Sequence, residues 1–161
     1  MTRNTAHAAC GALTLALAAA LAGCASPRTA PDATPKAAEC TDVGTLGAGQ
    51  LYGSWEVELP QAGLRGRLTL RQHPEFNASL RGEFDYGGRH SIASGDVEGG
   101  EFNLDESRDG KSLYAFWSGQ LVPAACGAEI RGRWEPVATP GLTTPAASDF
   151  ILRRSADVQA W

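Results

Sequence analysis

The chain has 161 residues, with 14 Lys and Arg against 18 Asp and Glu, a formal net charge of −4 at pH 7 and 43% hydrophobic residues. That length suits one domain with a modest core. Its mild acidity argues against a nucleic-acid partner, which asks for a basic face.

At the N-terminus, Met1 to His7 carries a single cation, Arg3, and Ala8 to Ala22 is apolar apart from Gly11 and Thr14. This is the order of a secretory signal, and the run falls short of the roughly 20 apolar residues of a transmembrane helix. It closes on Leu21-Ala22-Gly23-Cys24, which resembles the lipobox of bacterial lipoproteins. In that family a small residue before the cysteine permits cleavage, and the thiol takes a diacylglyceryl group. The resemblance implies a signal peptide over 1–23, a lipidated Cys24 as first mature residue, and a membrane as partner through acyl (palmitate-type) chains. Ala25 stands where that family places an Asp for inner-membrane retention. It therefore implies export to the cell outer membrane of a Gram-negative envelope, with the body facing the periplasm. An N-terminal membrane anchor and a signal cut for full release are the competing readings. Loss of Arg3 with the signal leaves 13 Lys and Arg against 18 Asp and Glu, a charge of −5. With Cys10 in the signal and Cys24 under lipid, Cys40 and Cys126 remain. In an oxidising compartment they read as a disulfide, the alternative being two free thiols.

From Ala25 to about Glu39 the composition is Ala, Pro, Thr and Ser with single charges, including Pro27, Pro31 and Pro35. Nothing there can bury a face, so 24–47 is expected to be the lipidated cysteine and a flexible linker. Onward from Leu51 the apolar residues recur with period two, the strand signature. Eight strands are predicted: Leu51 to Leu59, Leu64 to Gln72, Ala78 to Tyr86, Arg89 to Glu98, Glu101 to Asp105, Lys111 to Val122, Ala128 to Val137 and Ser148 to Arg154. Turns separate them at Pro60 to Gly63, Pro74 to Asn77, Gly87-Gly88, Gly99-Gly100, Glu106 to Gly110, Pro123 to Gly127 and Ala138 to Ala147. No stretch shows a helical stripe. The expected fold is all-β, an eight-stranded antiparallel up-and-down barrel over 48–155 with a tail at 156–161.

One face of each strand can be assigned. Trp55, Val57 and Leu59 face inward, as do Leu64, Leu68, Leu70, Leu80, Phe84, Tyr86, Leu113, Ala115, Trp117, Leu121, Ile130 and Trp134. Charged residues alternate with them, which excludes a membrane-spanning barrel with its apolar exterior. Ser94-Gly95 interrupts the fourth strand and predicts a bulge. Gly66, Gly82 and Gly132 fall on the inward face, where glycine lets a small barrel coil sharply.

Gly53-Ser54-Trp55 in the first strand, with Phe150-Ile151-Leu152-Arg153-Arg154 in the last, resembles the signature of the calycins, the superfamily of lipocalins, fatty-acid-binding proteins and avidins. The resemblance implies that Trp55 packs at the closed end under Arg154 as a structural plug. A closed meander agrees, since its first and last strands are antiparallel neighbours. The biotin-contacting residues of avidins do not map onto this chain. In the same topology Cys40 and the connection carrying Cys126 fall at one end, so a bond between them needs no threading. The connections at Pro60 to Gly63, Gly87 to His90, Glu106 to Gly110 and Ala138 to Ala147 then form the opposite rim, the place to look for a partner.

Chemistry-bearing motifs are sparse. His73 and His90 sit in turns without Cys or carboxylate at metal-ligand spacing, and neither a nucleophile elbow nor a phosphate loop occurs. Asp105 to Gly110 begins like a calcium loop, but Phe116 stands where a bidentate Glu is required. Tyr86, Trp117 and Trp134 either line a ligand cavity or fill the barrel outright, and a filled core is expected. The functional expectation is a lipid-anchored, non-catalytic binding or interaction module, with no cofactor and no metal. The alternatives are a carrier of a small apolar or aromatic ligand inside the barrel, and an inhibitor of an envelope hydrolase such as lysozyme. Inhibitors of that kind are also small disulfide-bearing barrels, but their Ser-Gly motif has no match here, because Ser94-Gly95 runs into Asp96-Val97.

Overall fold

The alternation of apolar and charged residues forces a sheet with one dry face, and in a computed structural model that sheet curls shut. The structure describes residues 40–138, 140–141 and 143–156. The signal peptide, Cys24, most of the linker and most of the tail lie outside them. The strands are β1 Gly53–Leu59, β2 Leu64–Gln72, β3 Leu80–Tyr86, β4 Arg89–Glu98, β5 Glu101–Ser107, β6 Ala115–Leu121, β7 Glu129–Pro136 and β8 Ser148–Arg154. Each pairs antiparallel with the next, and β8 returns to β1, closing the barrel. Gly87-Gly88 and Gly99-Gly100 all have positive φ, at 58° and 72°, and at 59° and 85°. This is the geometry of two-residue hairpins whose twist matches the strands they join.

Trp55, Val57, Leu59, Leu68, Leu70, Leu80, Phe84, Phe102, Leu104, Ala115, Trp117, Ile130, Phe150 and Leu152 are buried together. At mid-height Trp117 stacks on Phe84, with centroids 4.5 Å apart, and tilts against Phe150 at 5.1 Å. The barrel is packed across its width there. Each such side chain contributes roughly 2–3 kcal/mol by leaving water. On the outer face Glu58 meets Arg65 at 3.0 Å and Arg153 at 3.1 Å, Arg153 also reaches Glu129 at 3.1 Å, and Arg133 reaches Asp149 at 3.2 Å. Exposed pairs like these contribute at most about 1 kcal/mol each.

The seams are unequal. β1 and β8 pair over four residues, Trp55 to Glu58 against Ile151 to Arg154, whereas β1 and β2 pair over seven. Beyond Glu58 the two are bridged by the side chain of Gln61. Its Oε1 accepts from the backbone N–H of Asp149 (2.8 Å) and from Ser148 Oγ (2.7 Å), and its Nε2 donates to Asp149 Oδ2 (2.7 Å).

Several expectations are corrected. The bulge at Ser94-Gly95 is absent, as β4 pairs in unbroken register with β3 and β5. A Cβ on Gly95 would lie 1.9 Å from the Asn103 carbonyl oxygen, so glycine serves there for close backbone approach. Gly66 and Gly132 do the same, each bringing a would-be Cβ within 2.1 Å of a carbonyl on a neighbouring strand, Asp85 of β3 and Ser118 of β6. Leu51 belongs to a single helical turn, α1 Ala48–Leu51, before β1. Leu113 is 40% exposed, because β6 does not begin until Ala115. Asp109 organises the turn before it, accepting from the N–H groups of Lys111 (2.8 Å) and Ser112 (2.7 Å) and from the hydroxyls of Ser112 and Ser107.

The described part of the segment expected as linker over 24–47 is structured from Asp42 onward. Asp42 caps a 3-10 turn at Val43–Thr45 through the N–H of Gly44. Val43, Ala48 and Leu51 are buried and Leu46 packs on the core, so this segment is laid across the base of the barrel as its floor.

Candidate functional site

The base is built from the two chain ends of the barrel. Trp55 Nε1 donates to the Leu51 carbonyl at 2.9 Å. The Arg154 guanidinium lies over the Trp55 ring, 4.6 Å from its centroid, and donates to the carbonyls of Tyr52 (3.0 Å) and Gln50. Arg154 is the register partner of Trp55 across the β1–β8 seam. A disulfide joins Cys40 to Cys126, their Cα atoms 4.8 Å apart, and ties the floor segment to the β6–β7 connection. With α1 across it, this pole is closed and its polar groups are spent on the fold.

The opposite pole differs. The inward alternation of β5 runs Phe102, Leu104 and then Glu106, which is 0% exposed. Glu106 Oε1 accepts from Tyr86 Oη (3.0 Å) and Ser91 Oγ (2.5 Å). Its Oε2 accepts from Tyr86 Oη (2.9 Å), Trp117 Nε1 (2.9 Å) and Trp134 Nε1 (3.3 Å). One carboxylate thus gathers donors from β3, β4, β6 and β7 onto β5. Among the described residues no Lys or Arg pairs with it, so these hydrogen bonds alone offset its desolvation. Burial, reinforced by the Glu106 charge, pushes the Tyr86 phenol far above its ordinary pKa of 10.0. The phenol stays protonated and keeps donating.

Above this network lies a cleft of about 260 Å³ lined by Ala62, Leu64, Tyr86, Gly87, Arg89, Arg108, Tyr114, Trp134 and Pro145. Each of the four rim connections supplies a wall. Arg108 is stacked on Tyr114, its Cζ 3.5 Å from the ring centroid, and Tyr114 leans toward Trp134 with centroids 6.2 Å apart. Partial burial raises the Tyr114 pKa, against the opposing pull of Arg108 and Arg89.

Of the three residues proposed to line a ligand, Tyr86 and Trp134 do face the cleft. Trp117 does not. It is fully buried and fills the midsection, although all three meet at Glu106. Glu106 itself went unrecognised, being assigned to the turn that follows β5. Its signal was the continuation of period two from Phe102 and Leu104, which a charged residue masks. His90 Nδ1 lies 3.0 Å from Asp85 Oδ1 on the exterior, and His73 packs on Phe76 in the β2–β3 turn. Among the described residues no group of three or more His, Cys, Asp and Glu is arranged to hold a metal. Chemically, the hydroxyls of Ser91 and Tyr86 are committed to Glu106, and the site offers shape, aromatic surface and two guanidinium groups. No protein-family model matches the chain, and comparison with curated proteins yields no significant match.

Proposed function

We propose that the chain is an outer-membrane lipoprotein, anchored through Cys24 and facing the periplasm, whose barrel is a non-catalytic binding module that uses the rim cleft. The observation that carries this reading is the polarity of the barrel. Floor segment, plug and disulfide share one pole, and the cleft opens at the other, so the chain enters the barrel, at Cys40, on the pole opposite the cleft. The packed midsection favours a ligand held at the mouth over one enclosed in the barrel. The rigid tie of Tyr86, Trp117 and Trp134 to Glu106 supports recognition, because a pre-organised wall loses little entropy on binding.

The anchor is tested by labelling the full chain with palmitate in a Gram-negative host. Label and outer-membrane sedimentation should both disappear in Cys24→Ser, and a labelled Cys24→Ser chain would refute the anchor. The cleft is tested by nuclear magnetic resonance with a panel of small envelope metabolites. Ligand-induced shifts are expected at the Trp134 indole N–H and the Gly87 amide, and a panel that perturbs only the base or the outer face would remove the cleft from the account.

A further inference from the structure

Building on the rim cleft as the binding surface, we infer that its ligand is a small planar organic anion, an aromatic ring bearing a carboxylate. The first observation is a local reversal of charge. The chain carries a net −4, yet the charged side chains on the cleft wall are Arg89 and Arg108, and no carboxylate joins them.

The second is that the acids beside these cations, along the chain or on the paired strand, are occupied. Asp109, adjacent to Arg108, spends its carboxylate on the N–H groups of Lys111 and Ser112 and on two serine hydroxyls. Asp85 sits beside His90. Glu106 is enclosed, with both oxygens taken by Tyr86, Ser91, Trp117 and Trp134. Among the described residues neither Arg89 nor Arg108 has an ion-pair partner. On the outer face Arg65, Arg131, Arg133 and Arg153 each have one and Arg67, Arg71 and Arg81 have none among those residues, so what sets Arg89 and Arg108 apart is their place on the wall of a recess. Guanidinium forks match carboxylates, and here two stand at the mouth of a recess without an acid, Arg108 held flat on the Tyr114 ring.

The third concerns shape. Tyr86 and Trp134 are almost wholly buried and close the floor of the recess, while Tyr114 is only partly buried and carries the planar guanidinium of Arg108 on its ring, so a flat partner fits against Tyr114 and Arg108. A recess of about 260 Å³ lies just below the range of roughly 300 to 1,000 Å³ that holds drug-sized ligands. The guest is therefore about the size of one mono- or bicyclic ring with its charged group.

The test uses the full chain in detergent and three probes of one shape: indole-3-acetate, its neutral amide indole-3-acetamide, and the cation tryptamine. Binding is followed through the Trp134 indole N–H and the rim amides. The acetate should bind about ten-fold more tightly than the amide, as expected for one charge-assisted contact, and tryptamine should bind most weakly. In Arg89→Gln/Arg108→Gln the acetate should fall to the level of the amide, and added salt should weaken the acetate alone. Should that variant not fold, the three-probe order on the native chain decides by itself. Equal binding of amide and acetate, or stronger binding of tryptamine, overturns the anion assignment and leaves the cleft as a binding surface. Absence of any rim response to all three probes overturns both.

Discussion

At the base, a cation, Arg154, lies over Trp55 and gives its donors to the carbonyls of Gln50 and Tyr52. At the rim, an anion, Glu106, lies beneath Tyr86 and Trp134 and draws in donors from four strands. The base joins the beginning and end of the barrel, and a covalent bond reinforces it. The rim joins β3 through β7, the strands in the middle of the sequence. The two poles differ in what remains over. The base has spent Arg154 on its own backbone, whereas at the rim Arg89 and Arg108, the latter stacked on Tyr114, meet no acid among the described residues. Two cations set on the wall of a recess distinguish the rim, the surface proposed to bind, from the base, which closes.

The comparison can be broken at several points. Opening the base covalently should have the largest effect. Cys40→Ser with Cys126→Ser releases a loop of 86 residues, worth about 4 kcal/mol in chain entropy. Denaturant unfolding should show this loss while the Trp134 indole resonance stays in place; a displaced Trp134 would mean the poles are coupled. Next comes Glu106→Ala. Leaving two indole N–H groups and two hydroxyls without an acceptor should cost about 3 kcal/mol and abolish rim binding while the Trp55 indole resonance is unchanged. A loss below about 1 kcal/mol would show that the carboxylate is dispensable.

Arg154→Leu should cost less, about 1–2 kcal/mol, since it removes a cation–π contact and hydrogen bonds at a partly exposed position. Its effect should be confined to the base, and rim binding should survive. Smallest is the acid response of the rim turn. Hydrogen bonds, foremost from the Ser112 N–H, hold the Asp109 carboxyl well below its ordinary value of 3.8. Depression of the folded value means the stabilisation is complete above 3.8 and lost only as pH falls below it toward the folded value. Between pH 5 and 8 the Ser112 amide resonance should therefore be constant, and a titration of that resonance near neutrality would contradict the turn described here.

The barrel was largely legible in the sequence because its determinants are local. Period-two alternation marked the eight strands to within a few residues, and Gly87-Gly88 and Gly99-Gly100 marked hairpins. The base was legible for a topological reason, as closure of a meander puts the start of β1 beside the end of β8, Trp55 beside Arg154, and strand alternation brings the β6–β7 connection with Cys126 to the same end as Cys40. The rim was harder. A lone glutamate continuing an apolar face reads as the end of a strand, and nothing local reveals that four donors from other strands await it. Gly95 was misread because a glycine that permits a bulge and one that permits close approach look alike along the chain. Val43 and Leu46 are isolated in a Gly- and Thr-rich stretch, without periodicity, and only the floor they cover gives them a partner.

The four-residue pairing of β1 with β8 gives the molecule a placket. From Glu58 upward, among the described residues, the two edges are fastened by Gln61, a solvent-exposed side chain clasping Ser148 and Asp149, and the cleft walls at Ala62 and Pro145 hang on either side. We hypothesise that the mouth widens by unfastening here, while the glutamate-stapled flank keeps its shape. Hydrogen exchange at the Asp149 amide should then outpace that at Trp117, and Gln61→Ala should let longer ring systems enter; equal exchange at the two sites would mean that the mouth is rigid all the way round.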